Sequence, residues 1–211
     1  GPASTSWSSV AGGIPASASL AITTQGRLYA WGANAVGQLG DNTLVGKSSP
    51  VLVSGPASTS WSSIACSTYH GLGITTAGRL YAWGYNGNGQ LGDLTTVDKS
   101  SPILVSGPAS TSWSSIASDG GTTSLAITSI GRLYAWGYNG FGQLGDSTTV
   151  SKSSPILVSG PASTSWSSVA GGDTYVSLGI TTAGRLYAWG YNAGGELGDN
   201  TQVGKSSPVL V

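Results

Sequence analysis

The stretch RLYAWGYNGNGQLGD, residues 79–93, decides the fold, because close copies of it begin at Arg27, Arg132 and Arg185. In its first half, Leu80 and Ala82 project to one side of an extended chain while Tyr81 and Trp83 project to the other. Both sides are apolar, as expected of a strand sandwiched between two neighbouring sheets. The next letters change from copy to copy: ANAVGQ at 33–38, YNGNGQ at 85–90, YNGFGQ at 138–143 and YNAGGE at 191–196. LGD then returns unchanged.

Working outward, Trp7, Trp61, Trp113 and Trp166 are spaced by 54, 52 and 53 residues, and Trp31, Trp83, Trp136 and Trp189 by 52, 53 and 53. A fixed period of this length marks a repeat architecture. The units are 1–54, 55–106, 107–159 and 160–211, within a single repeat domain over 1–211. Each unit offers four strand-like stretches; in the second they are WSSIA (61–65), GLGIT (71–75), RLYAWG (79–84) and PILV (102–105). TTAGR, 75–79, places Gly78 where a tight hairpin needs positive φ. No stretch has helical periodicity, so the chain is expected to be all-β. Four antiparallel strands per unit of about 53 residues is the arithmetic of a β-propeller blade. A blade cannot bury both faces alone. Four blades therefore form a closed ring, an open arc, or half of a larger oligomeric ring, and an open arc invites self-association through its exposed blade edges.

The pattern VAGG…SLAIT-x-x-GRLYAWG-x-N-x-x-GQLGD…SSP resembles the regulator of chromosome condensation repeat across essentially the whole chain. The resemblance implies a propeller, usually seven-bladed, with the WSS strand innermost and the PVLV strand outermost. It also implies a blade-packing histidine before the second strand, present here only as His70, with Ala18, Thr123 and Val176 at the matching positions. Relatives include a nucleotide-exchange factor that sits on chromatin and secreted inhibitors of β-lactamase. Neither activity carries over, because their functional residues lie in variable loops that do not match.

Eight basic and eight acidic residues cancel, and no basic stripe of a nucleic-acid binder is present. No apolar run approaches a membrane span, so no membrane insertion is expected. The single Cys66 excludes an internal disulfide framework and reads as a small buried apolar residue. There is no signal peptide and no Met, which suggests a processed product or an excised or engineered segment. Few charges and much Gly, Ser and Thr favour an extracellular or virion surface.

No enzyme, cofactor or metal is expected. His70, the sole histidine, has no carboxylate placed to orient it, as a hydrolytic base would need. Asp41, Asp93, Asp146 and Asp199 supply one carboxylate per blade, too few for a calcium loop and suited to capping a turn. The glycine-rich WG-x-N-x-x-G loops lack the helix and Lys of a phosphate-binding loop. Arg27, Arg79, Arg132 and Arg185 read as solvated or paired charge.

Differences among the four copies fall in three places: after the first strand (12–18, 66–70, 118–123, 171–176), in the WG-x-N-x-x-G loop, and after LGD. In the last, Thr43, Val45 and Lys47 recur in every blade while the residues between them change, which predicts an extended segment packed on its constant side. All three places adjoin the first-to-second and third-to-fourth strand connections, which leave the same face of an up-and-down blade. That face is the expected binding site, for a protein or a glycan. Its candidates are Val36, Asn88, Phe141, Gly195, Tyr69, His70, Asp119, Asp173, Tyr175, Leu44, Thr96, Asp98, Thr149 and Gln202. Phe141, the only Phe, is the expected aromatic anchor. The reading is a non-enzymatic binding scaffold with one diversified loop face; the alternative is a structural segment of a longer array or of a fibre on a cell or virion surface.

Overall fold

The computed structural model describes residues 5–13, 18–56, 59–109, 111–161, 164–172 and 175–211. They form sixteen strands in four antiparallel sheets. The first blade holds β1 (Trp7–Gly12), β2 (Ala18–Thr23), β3 (Leu28–Gly32) and β4 (Lys47–Leu52), and the second β5 (Trp61–Cys66), β6 (His70–Thr75), β7 (Leu80–Gly84) and β8 (Lys99–Leu104). The third holds β9 (Trp113–Ser118), β10 (Thr123–Thr128), β11 (Leu133–Gly137) and β12 (Lys152–Leu157); the fourth β13 (Trp166–Gly171), β14 (Val176–Thr181), β15 (Leu186–Gly190) and β16 (Lys205–Leu210). Within each sheet every strand pairs with the next in sequence and none pairs across to another sheet, so each blade is complete within its own repeat. Gly26, Gly78, Gly131 and Gly184 adopt φ of 74–78° and close the β2–β3 type of hairpin, a conformation that costs glycine least.

The first strands pack on one another in the series β1, β5, β9, β13 and are therefore innermost, as the resemblance implies. The outermost strands carry Pro50, Pro102, Pro155 and Pro208. Proline has no N–H for a ladder and is tolerated on a strand with one free edge.

The two apolar sides of LYAW bury against different neighbours, as their alternation requires. Tyr81 and Trp83 face back onto Leu20, Ile22 and Leu28 of the first blade, while Leu80 and Ala82 face forward onto Trp113, Tyr134 and Trp136 of the third. Each junction is thus an aromatic surface laid on an aliphatic one, in interior packing that tolerates little change of volume. The second strand tunes this packing. Where it carries Gly73 or Gly179, the two tryptophans of the blade stand 6.0 and 5.9 Å apart. Where it carries Ala21 or Ala126, they stand 6.5 and 6.3 Å apart. A methyl group at Gly73 would strike the Trp61 ring, so the ring moves in only where the methyl is missing.

The four sheets form an open arc. Trp61 is 4% exposed beneath the first blade, whereas Trp7, with the same flanking sequence, is 39% exposed.

Candidate binding face

Asparagine organises the loop between the third and fourth strands. Asn34 Nδ2 donates to Asp41 Oδ1 (3.0 Å) and to the carbonyls of Thr43 (3.0 Å) and Val45 (3.3 Å). Its Oδ1 accepts from the Leu39 N–H at 2.9 Å. Asn86, Asn139 and Asn192 repeat the arrangement, and all four are buried. The carboxylate of Asp41 also accepts from Thr43 N–H (3.0 Å) and Oγ1 (2.7 Å) and faces Lys47 Nζ at 3.6 Å. Desolvation pushes its pKa up, but the bonds from Thr43 and Asn34 and the Lys47 charge outweigh it and hold the carboxyl below its ordinary range. The turn-capping expected of these aspartates is what they do.

The tip of the loop is held by its backbone. Val36, Asn88 and Phe141 each donate their N–H to the side-chain carbonyl of the glutamine two residues on, Gln38, Gln90 or Gln143, at 2.9–3.1 Å. In the fourth blade Gly194 donates to Glu196 Oε2 at 2.9 Å. The counterpart of Phe141 is therefore Gly194, which corrects the choice of Gly195. Gly195 belongs with Gly37, Gly89 and Gly142, all at φ of 80–88°, where a side chain would be strained.

The structure divides the remaining candidates. Tyr69, Phe141, Tyr175, Leu44, Thr96, Asp98, Thr149 and Gln202 are exposed on the loop face, and Val36 and Asn88 are half-buried there. Asp98 also accepts from the Asn86 N–H at 2.8 Å. Asp173 lies outside the described residues.

Two candidates are corrected to interior roles. His70 is wholly buried between Ser67 Oγ (2.7 Å from Nδ1) and Ser124 Oγ of the next blade (2.9 Å from Nε2). Ser124 spends its own proton on the Gln90 carbonyl at 2.8 Å, so His70 Nε2–H must donate, leaving Nδ1 as acceptor. Burial lowers its pKa to about 4 against a raising contribution from the Gly121 carbonyl, and the ring is neutral at pH 7. Asp119 is buried, with Oδ1 accepting from the N–H groups of Gly121, Thr122 and Thr123 at 2.7–3.2 Å. The next blade closes over His70, whereas Asp119 is buried within the turn of its own loop.

The segment after LGD is corrected as well. Its constant valines, Val45, Val97, Val150 and Val203, are 61–64% exposed rather than packed. What is fixed on their side is the backbone, whose carbonyls accept from the buried asparagines. Each blade consequently shows solvent an apolar valine beside a variable residue.

Between the third and fourth blades the loop face gathers aromatic rings. Phe141, 40% exposed, stacks on Tyr175 with centroids 4.9 Å apart and meets Tyr191 edge-on at 5.3 Å. Tyr138 stands 5.5 Å from Tyr175 and 6.2 Å from Phe141. Tyr175 adopts a φ of 61°, unfavourable for a bulky residue, while its carbonyl accepts from the Tyr191 N–H at 3.1 Å. Phe141 and Tyr175 stand out in the sequence, whereas Tyr138 and Tyr191 do not, because three blades share that Tyr. The signal was that Ala33 replaces it in the first blade. Cys66, among the inner strands, has its pKa pushed by burial up to about 12, lowered only in part by a bond from Gly13 N–H, which leaves an unreactive thiol.

Comparison with known proteins matches this scaffold repeatedly. The ultraviolet-B receptor UVR8 of Arabidopsis thaliana is 32% identical over 191 residues, covering 90% of this chain and 43% of that protein. The crystal structure of human WBSCR16 superposes with a TM-score of 0.84 at 24% identity, covering 98% of this chain and 52% of that one. Yeast RCC1 (Prp20), solved bound to Kap60, gives 0.81 at 21% identity, with 99% and 49% covered. The chain thus spans about half the length of these relatives or less. The Regulator of chromosome condensation (RCC1) repeat pattern matches residues 25–74, 77–127, 131–178 and 183–211, so that this β-propeller chain belongs to the RCC1 repeat family.

Proposed function

We propose that the chain is a non-enzymatic scaffold that docks a protein partner on its loop face, anchored at Phe141 and Tyr175. The observation that carries this reading is the half-exposed aromatic cluster, with Phe141 on a turn held by its main chain and by Asn139. Large, conformationally restricted rings supply much of the energy of protein interfaces, and the tip residues are free to serve a partner because the fold does not use them. The exposed valines add one apolar side chain per blade to the same set of loops. A propeller of this fold was solved bound to another protein, Kap60. A glycan is the weaker reading, since the rings stack on one another instead of standing free as sugar platforms.

Photo-crosslinking tests the assignment. A crosslinker at position 141 should capture a partner in the producing cells, and one at the exposed Ile130, on the opposite face, should not. Replacing Phe141 and Tyr175 together with Ser should then weaken that partner's binding by about 100-fold or more, with little change in thermal unfolding. Equal capture from position 130, or unchanged affinity in the double variant, rejects the reading.

A further inference from the structure

The three blade junctions repeat one set of bonds. The indole N–H of Trp83, Trp136 and Trp189 donates to the carbonyl of Gln38, Gln90 and Gln143 in the preceding blade, at 2.9–3.0 Å. The backbone N–H of Trp61, Trp113 and Trp166 donates to the preceding hairpin at Gly26, Gly78 and Gly131, at 2.8–2.9 Å. In return, the N–H after each LGD donates to the outer strand of the following blade: Asn42 to Ser100, Leu94 to Ser153 and Ser147 to Ser206, at 2.7–2.8 Å. Aromatic rings cover aliphatic side chains between these bonds.

Each end of the arc presents one half of that junction. The first blade shows Trp7, Tyr29 and Trp31, and among the described residues no blade lies over them. The fourth shows Ile180 and Leu186, 41% and 39% exposed, where their counterparts Ile127 and Leu133 are 2% and 1% exposed. A methyl group on Gly26 or Gly37 would collide with the next blade, whereas on Gly184 or Gly195 it would meet open space. None of the three junction bonds has a counterpart between the fourth blade and the first among the described residues.

We propose that a second copy of this chain lays its first blade on the fourth blade of its neighbour, head to tail, rebuilding the internal junction. The Trp31 indole N–H then donates to the Glu196 carbonyl, Trp7 N–H to Gly184, and Asn200 N–H to Ser48, while the rings of Trp7 and Tyr29 cover Ile180 and Leu186. The occupant follows from chemistry already in the molecule: both halves are copies of an interface that forms three times within the chain. Zero net charge sets no long-range repulsion against pairing. The two halves differ, so the contact is heterologous and leaves each pair with a free head and a free tail, to be closed by a second junction or extended by a third copy. This inference does not rest on the loop-face reading.

Sedimentation of the full 211-residue chain and two blocked variants decides it. Trp7→Glu blocks the head; Ile180→Glu with Leu186→Glu blocks the tail. The parent should sediment at about 42 kDa or above, twice or more the 21.0 kDa of the chain. Each blocked variant alone should remain at 21.0 kDa, and an equal mixture should give a one-to-one pair and nothing larger, because one head and one tail remain. Pairing of the mixture also shows that both variants are folded. A parent that stays at 21.0 kDa at about 100 µM, or blocked variants that associate like the parent, overturns the proposal and leaves these faces to further blades or another protein.

Discussion

Trp136 and Phe141 stand five residues apart, one in β11 and the other on the loop that follows, and opposite means hold them in place. Trp136 is positioned by its side chain: the ring is fully buried against Leu72, Leu80 and Ala82, and its indole N–H reaches the preceding blade. Phe141 is positioned by its main chain, through one bond to Gln143 and the surrounding Asn139 turn. The contrast explains why the two regions repeat so differently. Where packing sets the geometry, four copies keep the same residue. Where backbone bonds set it, the copies read Val, Asn, Phe and Gly at one position without disturbing the turn.

The largest effect is expected where a buried ring is removed. Trp136→Ala should cost about 3–5 kcal/mol of stability, through lost burial and the cavity left between two blades, read by chemical denaturation. A loss below about 1 kcal/mol would mean that the junction does not depend on its rings. Next in size is Asn139→Ala, which strips the bonds to Asp146 Oδ1 and to the Thr148 and Val150 carbonyls and leaves the Leu144 N–H unpaired. About 2–3 kcal/mol should be lost, against almost nothing for Phe141→Ser two positions on, in parallel thermal melts. Similar losses for both would erase the distinction between turn and tip. The smallest effect has the opposite sign. Leu94 is exposed and adopts a φ of 68°, where the first and fourth blades carry Asn42 and Asn200 at 63° and 60°. Leu94→Asn should raise stability by about 1 kcal/mol, because Asn tolerates this conformation better.

Much of the fold could be read because its causes are local. The alternation in LYAW announced two buried faces, and the spacing of tryptophans announced the blade. The side of the arc on which variation collects followed from strand order alone. What escaped depends on neighbours not adjacent in sequence. In sequence His70 is open to two readings, a loop-face residue or the blade-packing histidine of the resemblance, and its bond to Ser124 settles it as the second. Asp119 looks like a surface loop residue until its own turn wraps its carboxylate. Val45 and its copies alternate like a packed strand, but the constant feature is a carbonyl that any residue could supply. The fourth letter of YNAGGE is Gly194 and the fifth Gly195, and the bond from Gly194 to Glu196 confirms that Gly194 is the counterpart of Phe141. Asn34 and its equivalents, which organise the whole loop, drew no functional reading because they never vary.

The near-identity of the three junctions has a consequence for how the chain assembles. Apart from the buried His70–Ser124 bond, little in the repeated side chains tells the third blade that it belongs on the second rather than on the first, and the fourth faces a similar choice. Correct order therefore leans on the short SGPASTS connectors, which bring the next blade within reach before any other. Skipped blades would make native-like contacts and therefore persist, a kinetic trap characteristic of repeat proteins. Refolding of this chain is accordingly governed by tether length as much as by the strength of the interfaces it forms.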